Sequence, residues 1–250
     1  MTARCRALYL DLVKRVLANT IYADDRRDAG GRRLAYAHAL RETGSDWPIV
    51  AHTMVGMRRL DNLQQCVQTV IEDSVPGDLI ETGVWRGGAT VLMRAVLEAY
   101  GDRTRTVWVA DSFEGLPPPD ATRFPADRDD RHHELDYLRV SEDDVRETFR
   151  RYGLLDGQVR FLKGWFRDTL PCAPIERLAV LRLDGDMYES TMQALDALYP
   201  KLSPGGFAIV DDYGAIPACR QATDDYRARH GIGEPLHEID WTGVFWRRSR

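Results

Sequence analysis

The chain has 250 residues, 44% of them apolar, and a formal net charge of -5 in which both signs are interspersed. That length suits one α/β domain with an appended segment, because no linker or low-complexity tract divides it, and the acidic balance excludes the basic footprint of a nucleic-acid binder. No apolar run is long enough to cross a bilayer, and the start, MTARCRALYLDLVKR, breaks its apolar residues with charges, so a cytoplasmic protein with no membrane partner is expected.

Residues 4–19 carry Leu8, Leu12, Val13, Val16 and Leu17 at helical spacing, and Arg32–Glu42 and Leu60–Asp73 also read as helices, giving a helical N-terminal segment over residues 1–75. From Asp78 onward the pattern changes. Short Val/Ile/Leu-rich segments alternate with amphipathic stretches, which is the signature of a parallel sheet wrapped by helices. The predicted strands are DLIETGV (78–84), TVWVADS (106–112), QVRFLKG (158–164), LAVLRLD (178–184) and FAIVDDY (207–213), with helices over 88–100, 141–152, 189–201 and 217–230. SPGG at 203–206 is expected to form a turn ahead of its strand. PLHEID and GVFWRR, separated by Trp241 and Thr242, predict a closing hairpin and bring the sheet to seven strands. Arg247, Arg248 and Arg250 read as a solvated tail.

The Pro- and charge-rich insert over 114–140 follows the carboxyl end of a strand, where ligands of open α/β sheets sit, and is read as a lid in preference to a disordered loop. Cys5, Cys66, Cys172 and Cys219 lack the paired spacing of a metal or redox site and read as idle thiols. His132 and His133 are adjacent and point apart, so contact with substrate is a better reading for them than a shared metal.

The chemistry concentrates at strand ends. In ETGVWRGG (81–88), Gly83, Gly87 and Gly88 let the backbone turn from strand to helix and approach a ligand, and Glu81 offers an acceptor for a cationic or hydroxyl group. Asp111 lies 28 residues after Gly83, where an acid can accept hydrogen bonds from ribose hydroxyls. The spacing GVWRGG departs from G-x-G-x-x-G and an acid precedes the glycines, which weighs against a nicotinamide-dependent dehydrogenase and for a cofactor bearing an ammonium group. Asp184, Asp211 and Asp212 should gather with Glu81 and Asp111 along one sheet edge. Crowded carboxylates repel unless positive charge offsets them, so a hard divalent ion, Mg²⁺, is expected there; the plainer alternative is that one or two of them cap helices.

The combination ETGVWRGG, VADSFEGLP, RFLKGWFRDTLP, LAVLRLDGDMYEST, YPKLSPGGFAIVDDYG and AHTMVGMRRLDNL resembles the macrocin O-methyltransferase family of antibiotic-tailoring enzymes across nearly the whole chain. The resemblance implies a class I methyltransferase Rossmann-like fold and a reaction dependent on S-adenosylmethionine and Mg²⁺. The acceptor it implies is a deoxysugar hydroxyl on a macrolide or related glycosylated natural product, and family habit implies a homodimer or larger assembly. By the same resemblance Asp184, Asp211 and Asp212 are metal ligands and Asp186 is the general base; His132, His133 and Glu134, from their place in the lid, are the competing bases. Glu81, Gly83 and Asp111 match the cofactor site, and Thr53, Met54, Ser112 and Trp165 are weaker matches around its methionine and adenine portions. Trp165 has a packing alternative, and Met54 and Met57 on spacing alone are core residues. A catechol-type acceptor and a catalytically silent nucleoside-binding protein are the rival readings.

Overall fold

The computed structural model describes residues 2–28 and 30–249. Its main sheet has seven strands in the order β6-β5-β4-β7-β8-β10-β9, built from β4 (Asp78–Thr82), β5 (Val107–Asp111), β6 (Val159–Lys163), β7 (Leu178–Leu183), β8 (Leu202–Val210), β9 (His237–Glu238) and β10 (Val244–Arg247). Strands β4 to β8 are parallel, and β10 runs antiparallel to β8 and to β9, closing the sheet with the expected hairpin. The architecture is a mixed α/β fold of the Rossmann type, as the sequence predicts.

Side chains alternate across a strand, and here both faces are apolar. Leu79, Val107, Val109 and Ile209 enter one core, packed under α1 (Ala3–Leu17), α3 (Met57–Glu72), α4 (Gly88–Tyr100) and α5 (Glu142–Arg151). Their neighbours Ile80, Trp108, Ala110 and Ala208 enter the other, beneath α7 (Tyr188–Leu198) and α8 (Pro217–Arg229). Because the chain fills β4, β5 and β6 in one direction and then returns to lay β7 and β8 on the other side of β4, the winding reverses between β4 and β7. The crevice beyond the carboxyl ends of those two strands is where such sheets bind ligands.

Several local expectations are corrected. Arg32–Glu42 is not one helix: Arg33–Leu34 forms β2, which pairs with β1 (Arg26–Arg27), and β1 pairs in turn with β3 (Trp47–Pro48). The helix α2 is confined to His38–Thr43. Asp28 explains the difference, since its carboxylate accepts the backbone N–H groups of Gly30 and Arg32 and turns the chain into a hairpin. SPGG lies inside β8, not ahead of it. Pairing with β7 jumps from Leu178↔Leu202 to Val180↔Phe207, so residues 203–206 form a bulge in which Gly205 adopts φ +84°. The terminal arginines are no solvated tail: Arg247 pairs with Asp73, and Arg248 donates to the carbonyls of Tyr199 and Leu202, while Arg250 lies outside the described residues. Among the described residues no helix is long and apolar enough to cross a membrane.

Candidate active site

Tight backbone junctions bring the site together. Gly83 ends β4 at φ +83°, and a Cβ on it would sit 1.7 Å from the carbonyl oxygen of Asp184, so this glycine is needed for β4 and β7 to meet; it serves the protein's own chain. A Cβ on Gly88 would meet the carbonyl of His52 at 2.5 Å, and that close approach delivers Thr53 and Met54 to the same crevice. Trp85, Phe113 and Asp186, just beyond β4, β5 and β7, all hold positive φ. Left-handed backbone at a non-glycine residue costs roughly 1–3 kcal/mol and collects at functional loops.

These junctions open onto a cavity of about 570 Å³. Glu81, Gly83, Asp111, Ser112, Trp165, Thr53 and Met54, matched above to the cofactor site, all line it, and so do Asp184, Asp186, Asp211 and Asp212. Met57 does not line it; it packs partly buried against the core. Asp111 accepts the N–H of Val84 at 2.7 Å and of Phe113 at 2.8 Å, tying the two glycine-side loops together. Burial pushes its carboxyl above the ordinary range, and these N–H bonds offset part of the rise. Ser112 closes the next turn, donating to the carbonyl of Gly115 at 2.7 Å. The walls are aromatic, with Trp47, Trp85, Trp165, Phe166 and Trp241, and the insert contributes Leu116, Pro117, His132, Tyr137 and Leu138.

The acidic cluster is real, and it carries cations that the strand-end reading overlooks. Arg182, one residue before the end of β7 and 1% exposed, pairs in register with Glu81 of β4. Its guanidinium bonds Glu81, Asp184 at 2.7 Å and Asp211. Arg59 of α3 bonds Asp211 as well, and Asp240 at 3.0 Å. Glu81 is therefore locked into this lattice through one oxygen, while its Oε2 is buried with no partner. The sequence signal for Arg182 was available: a lone charge inside the apolar run LAVLRL has to be paired when that strand is buried on both faces. Arg59 carries no such signal, because RRLDN on an amphipathic helix looks like a solvated face.

Two arginines do not neutralise the carboxylates. Acceptor oxygens of Asp184, Asp211 and Asp212 lie within 4.8 Å of one another. Burial raises the Asp212 carboxyl well above its usual range, with Asp186, Asp184 and Asp211 adding to the effect, and its Oδ2 is buried without a hydrogen bond. Burial, and then Asp211, also raise Asp184 against the pull of Arg182; its side chain keeps 25% of its surface open. An all-oxygen donor set with one orphaned oxygen fits a hard divalent cation. Asp186, two residues beyond Asp184, is pushed up to about 7 by burial, with His132 opposing the rise. His132 is held by Asp130, whose carboxylate lies 2.6 Å from Nδ1.

The comparisons with known proteins agree with one another. Residues 6–248 match the family model described as macrocin-O-methyltransferase (TylF). The chain is 60% identical to the 8-demethyl-8-(2,3-dimethoxy-alpha-L-rhamnosyl)-tetracenomycin-C 4'-O-methyltransferase of Streptomyces olivaceus, over 100% of this chain and 95% of that one. It is 56% identical to the mycinamicin III 3''-O-methyltransferase of Micromonospora griseorubida, over 97% and 96% of the two chains. The solved structure of the O-methyltransferase NovP superposes with a TM-score of 0.94 at 54% identity, covering 98% of this chain and all of that one. Matched from end to end by model, sequence and fold, the chain belongs to the macrocin-O-methyltransferase family and is an O-methyltransferase.

Proposed function

We propose that this enzyme transfers the methyl group of S-adenosylmethionine to a hydroxyl of a deoxysugar carried on a macrolide or related glycosylated natural product, with Mg²⁺ as the second cofactor. The observation that carries this reading is the meeting of Asp184, Asp211 and Asp212 around an unpaired oxygen, beside Asp186, in an aromatic-walled cavity. The relatives' names, which specify methyltransferases of a rhamnosyl-tetracenomycin and of mycinamicin III, support the acceptor class.

Glu81, Asp111, Gly83 and Ser112, with Thr53, Met54 and Trp165, would hold the cofactor, whose sulfonium supplies an electrophilic methyl group. Asp111 already accepts two N–H groups and retains lone pairs for ribose hydroxyls. Asp184, Asp211 and Asp212 would hold Mg²⁺, which supplies Lewis acidity toward the acceptor hydroxyl. Asp186 is the group to remove the hydroxyl proton. Base catalysis of this kind is worth roughly 10² to 10⁴ in rate. The aromatic walls orient the glycoside by contact with its apolar faces and exclude water.

The test is a methyl-transfer assay over glycosylated macrolides, aminocoumarins, aromatic polyketide glycosides and catechols, with and without EDTA, on the parent and Asp186→Asn. Turnover of a glycoside that chelation abolishes and Mg²⁺ restores is expected. Asp186→Asn should bind adenosylhomocysteine normally yet turn over roughly 10² to 10⁴ more slowly. Indifference to EDTA removes the metal, normal turnover in the variant removes Asp186 as base, and methylation of catechols alone replaces the acceptor.

A further inference from the structure

The insert joins the rest of the chain through a buried carboxylate that the transfer chemistry does not use. Asp127, 1% exposed, accepts the backbone N–H of Tyr188 on Oδ1 at 2.6 Å and that of Glu189 on Oδ2 at 2.9 Å. These are the opening N–H groups of α7, which starts directly after Asp184, Gly185 and Asp186. A helix leaves its first N–H groups without intrahelical partners, and Met187, at the local capping position, has no side-chain acceptor to give them. The cap comes instead from the insert, 61 residues earlier in the chain. Phe124 supports the junction by packing on the ring of Tyr188, with centroids 6.2 Å apart.

From the same point the insert reaches into the cavity. The carbonyl of Asp127 accepts the N–H of Asp130 at 3.0 Å, and the Asp130 carboxylate accepts the N–H of His132 at 2.9 Å and holds its ring. His132 in turn lines the cavity. Asp127 thus touches both sides of the junction: its carboxylate holds the start of the helix that follows the Asp184–Asp186 loop, and its backbone carbonyl holds the stretch of insert that faces that loop.

We infer that Asp127 is a positioning residue, which by capping α7 from the insert holds the insert closed over the acceptor part of the cavity and sets His132 opposite the acidic loop. Its acceptor clause rests on the function proposed above; the closure itself does not. Loss of an N-cap carboxylate should raise the population of the opened insert by about tenfold. Displacement of a binding wall by about 1 Å is enough to weaken productive binding of the acceptor.

Hydrogen exchange of intact Asp127→Ala and Asp127→Asn, each saturated with adenosylhomocysteine, tests this alongside steady-state kinetics on a glycoside that the parent methylates. Amides of the insert and of the first turn of α7 should exchange about tenfold faster, with those of β4 and α4 unchanged. The acceptor KM should rise about tenfold while adenosylhomocysteine affinity stays within about twofold. A purely structural role predicts a lower melting temperature with unchanged KM, and that result overturns the inference, as does insert exchange equal to the parent's. If Asp127→Ala does not fold, Asp127→Asn, which keeps the shape and one acceptor oxygen, carries the same measurements. If the parent methylates no glycoside, the acceptor reading fails, and exchange over the insert alone decides the role of Asp127.

Discussion

Two buried charge networks in this protein use the same residue types to opposite ends. In the N-terminal segment, Arg41 is 1% exposed; it meets Asp46 through Nε at 3.0 Å and Asp24 through Nη1 at 2.6 Å, and donates to the carbonyls of Ala18 and Asp24. Asp24 is further served by the N–H of Val50 at 2.5 Å and the amide of Asn19 at 2.9 Å. No polar side-chain atom of Arg41, Asp24 or Asp46 is left buried without a partner. At the strand ends, Arg182 and Arg59 pair with Glu81, Asp184, Asp211 and Asp240, Asp186 and Asp212 stand in the same cluster, and Glu81 Oε2 and Asp212 Oδ2 stay unpaired. A network built for stability closes its valences, because an unpaired buried polar group costs free energy. A network that leaves acceptors open over a cavity retains a cost for a ligand to remove.

The sharpest way to break this comparison is to remove the cation of the closed network. Arg41→Met leaves Asp24 and Asp46 buried without their charge partner and should destabilise the fold by about 3–5 kcal/mol in urea unfolding, while residual folded enzyme keeps its acceptor KM. A loss under about 1 kcal/mol would show that Asp24 and Asp46 are adequately held by N–H groups alone, and the network would not be closed by Arg41 in any energetic sense. The open network predicts the reverse sign. Asp212→Asn removes a carboxylate that its neighbours repel and should leave metal-free stability unchanged or raise it by about 0.5–2 kcal/mol, while turnover falls at least about tenfold. A destabilised Asp212→Asn would mean that this carboxylate supports the fold, and the division between the networks would fail.

The same contrast explains what the sequence makes legible. The main sheet and its helices follow from period-2 and period-3.6 patterning in segments such as VWVAD and ATVLMRAVLEAY, and the acids fall where parallel strands must end. The pairing that decides the electrostatics is long-range. Arg59 reaches Asp240 across 181 residues, and Trp241 donates to the carbonyl of Thr43 across 198, so no local window contains either contact. The mistaken helix at Arg32–Glu42 has a similar origin, since beyond the Asp28 turn β2 belongs to a three-stranded sheet in which β1 is paired on its other side by Trp47 and Pro48. In the insert, DDRHHELDY carries no periodicity, and the cap that Asp127 makes on α7 is visible only once the two are in contact.

The smallest expected effect is the pH dependence of stability, and its value lies in its sign. Burial alone would raise the Asp24 carboxyl, but the Arg41 bond and the Val50 N–H outweigh it and hold the group below its ordinary value. The unfolded chain therefore binds more protons than the folded one as the pH drops through this range. The stabilisation is complete above the unfolded value of about 3.9 and is lost as pH falls through the folded one. Glu81 runs the other way. Burial first, with Asp184 and Asp211 adding to it, pushes it up to about 8 against the pull of Arg182, so in metal-free protein the folded state binds the extra proton. Its contribution is present at low pH and is lost as pH rises from about 4.3 through about 8. Urea midpoints measured with EDTA from about pH 3 to about pH 9 should show an acid limb that flattens in Asp24→Asn and an alkaline decline that becomes shallower in Glu81→Gln, the remainder coming from Asp186 and Asp212, which burial also raises. If the alkaline decline is as steep in Glu81→Gln as in the parent, or the acid limb survives in Asp24→Asn, the residue named does not carry its share of the pH response, and its part in the comparison is lost.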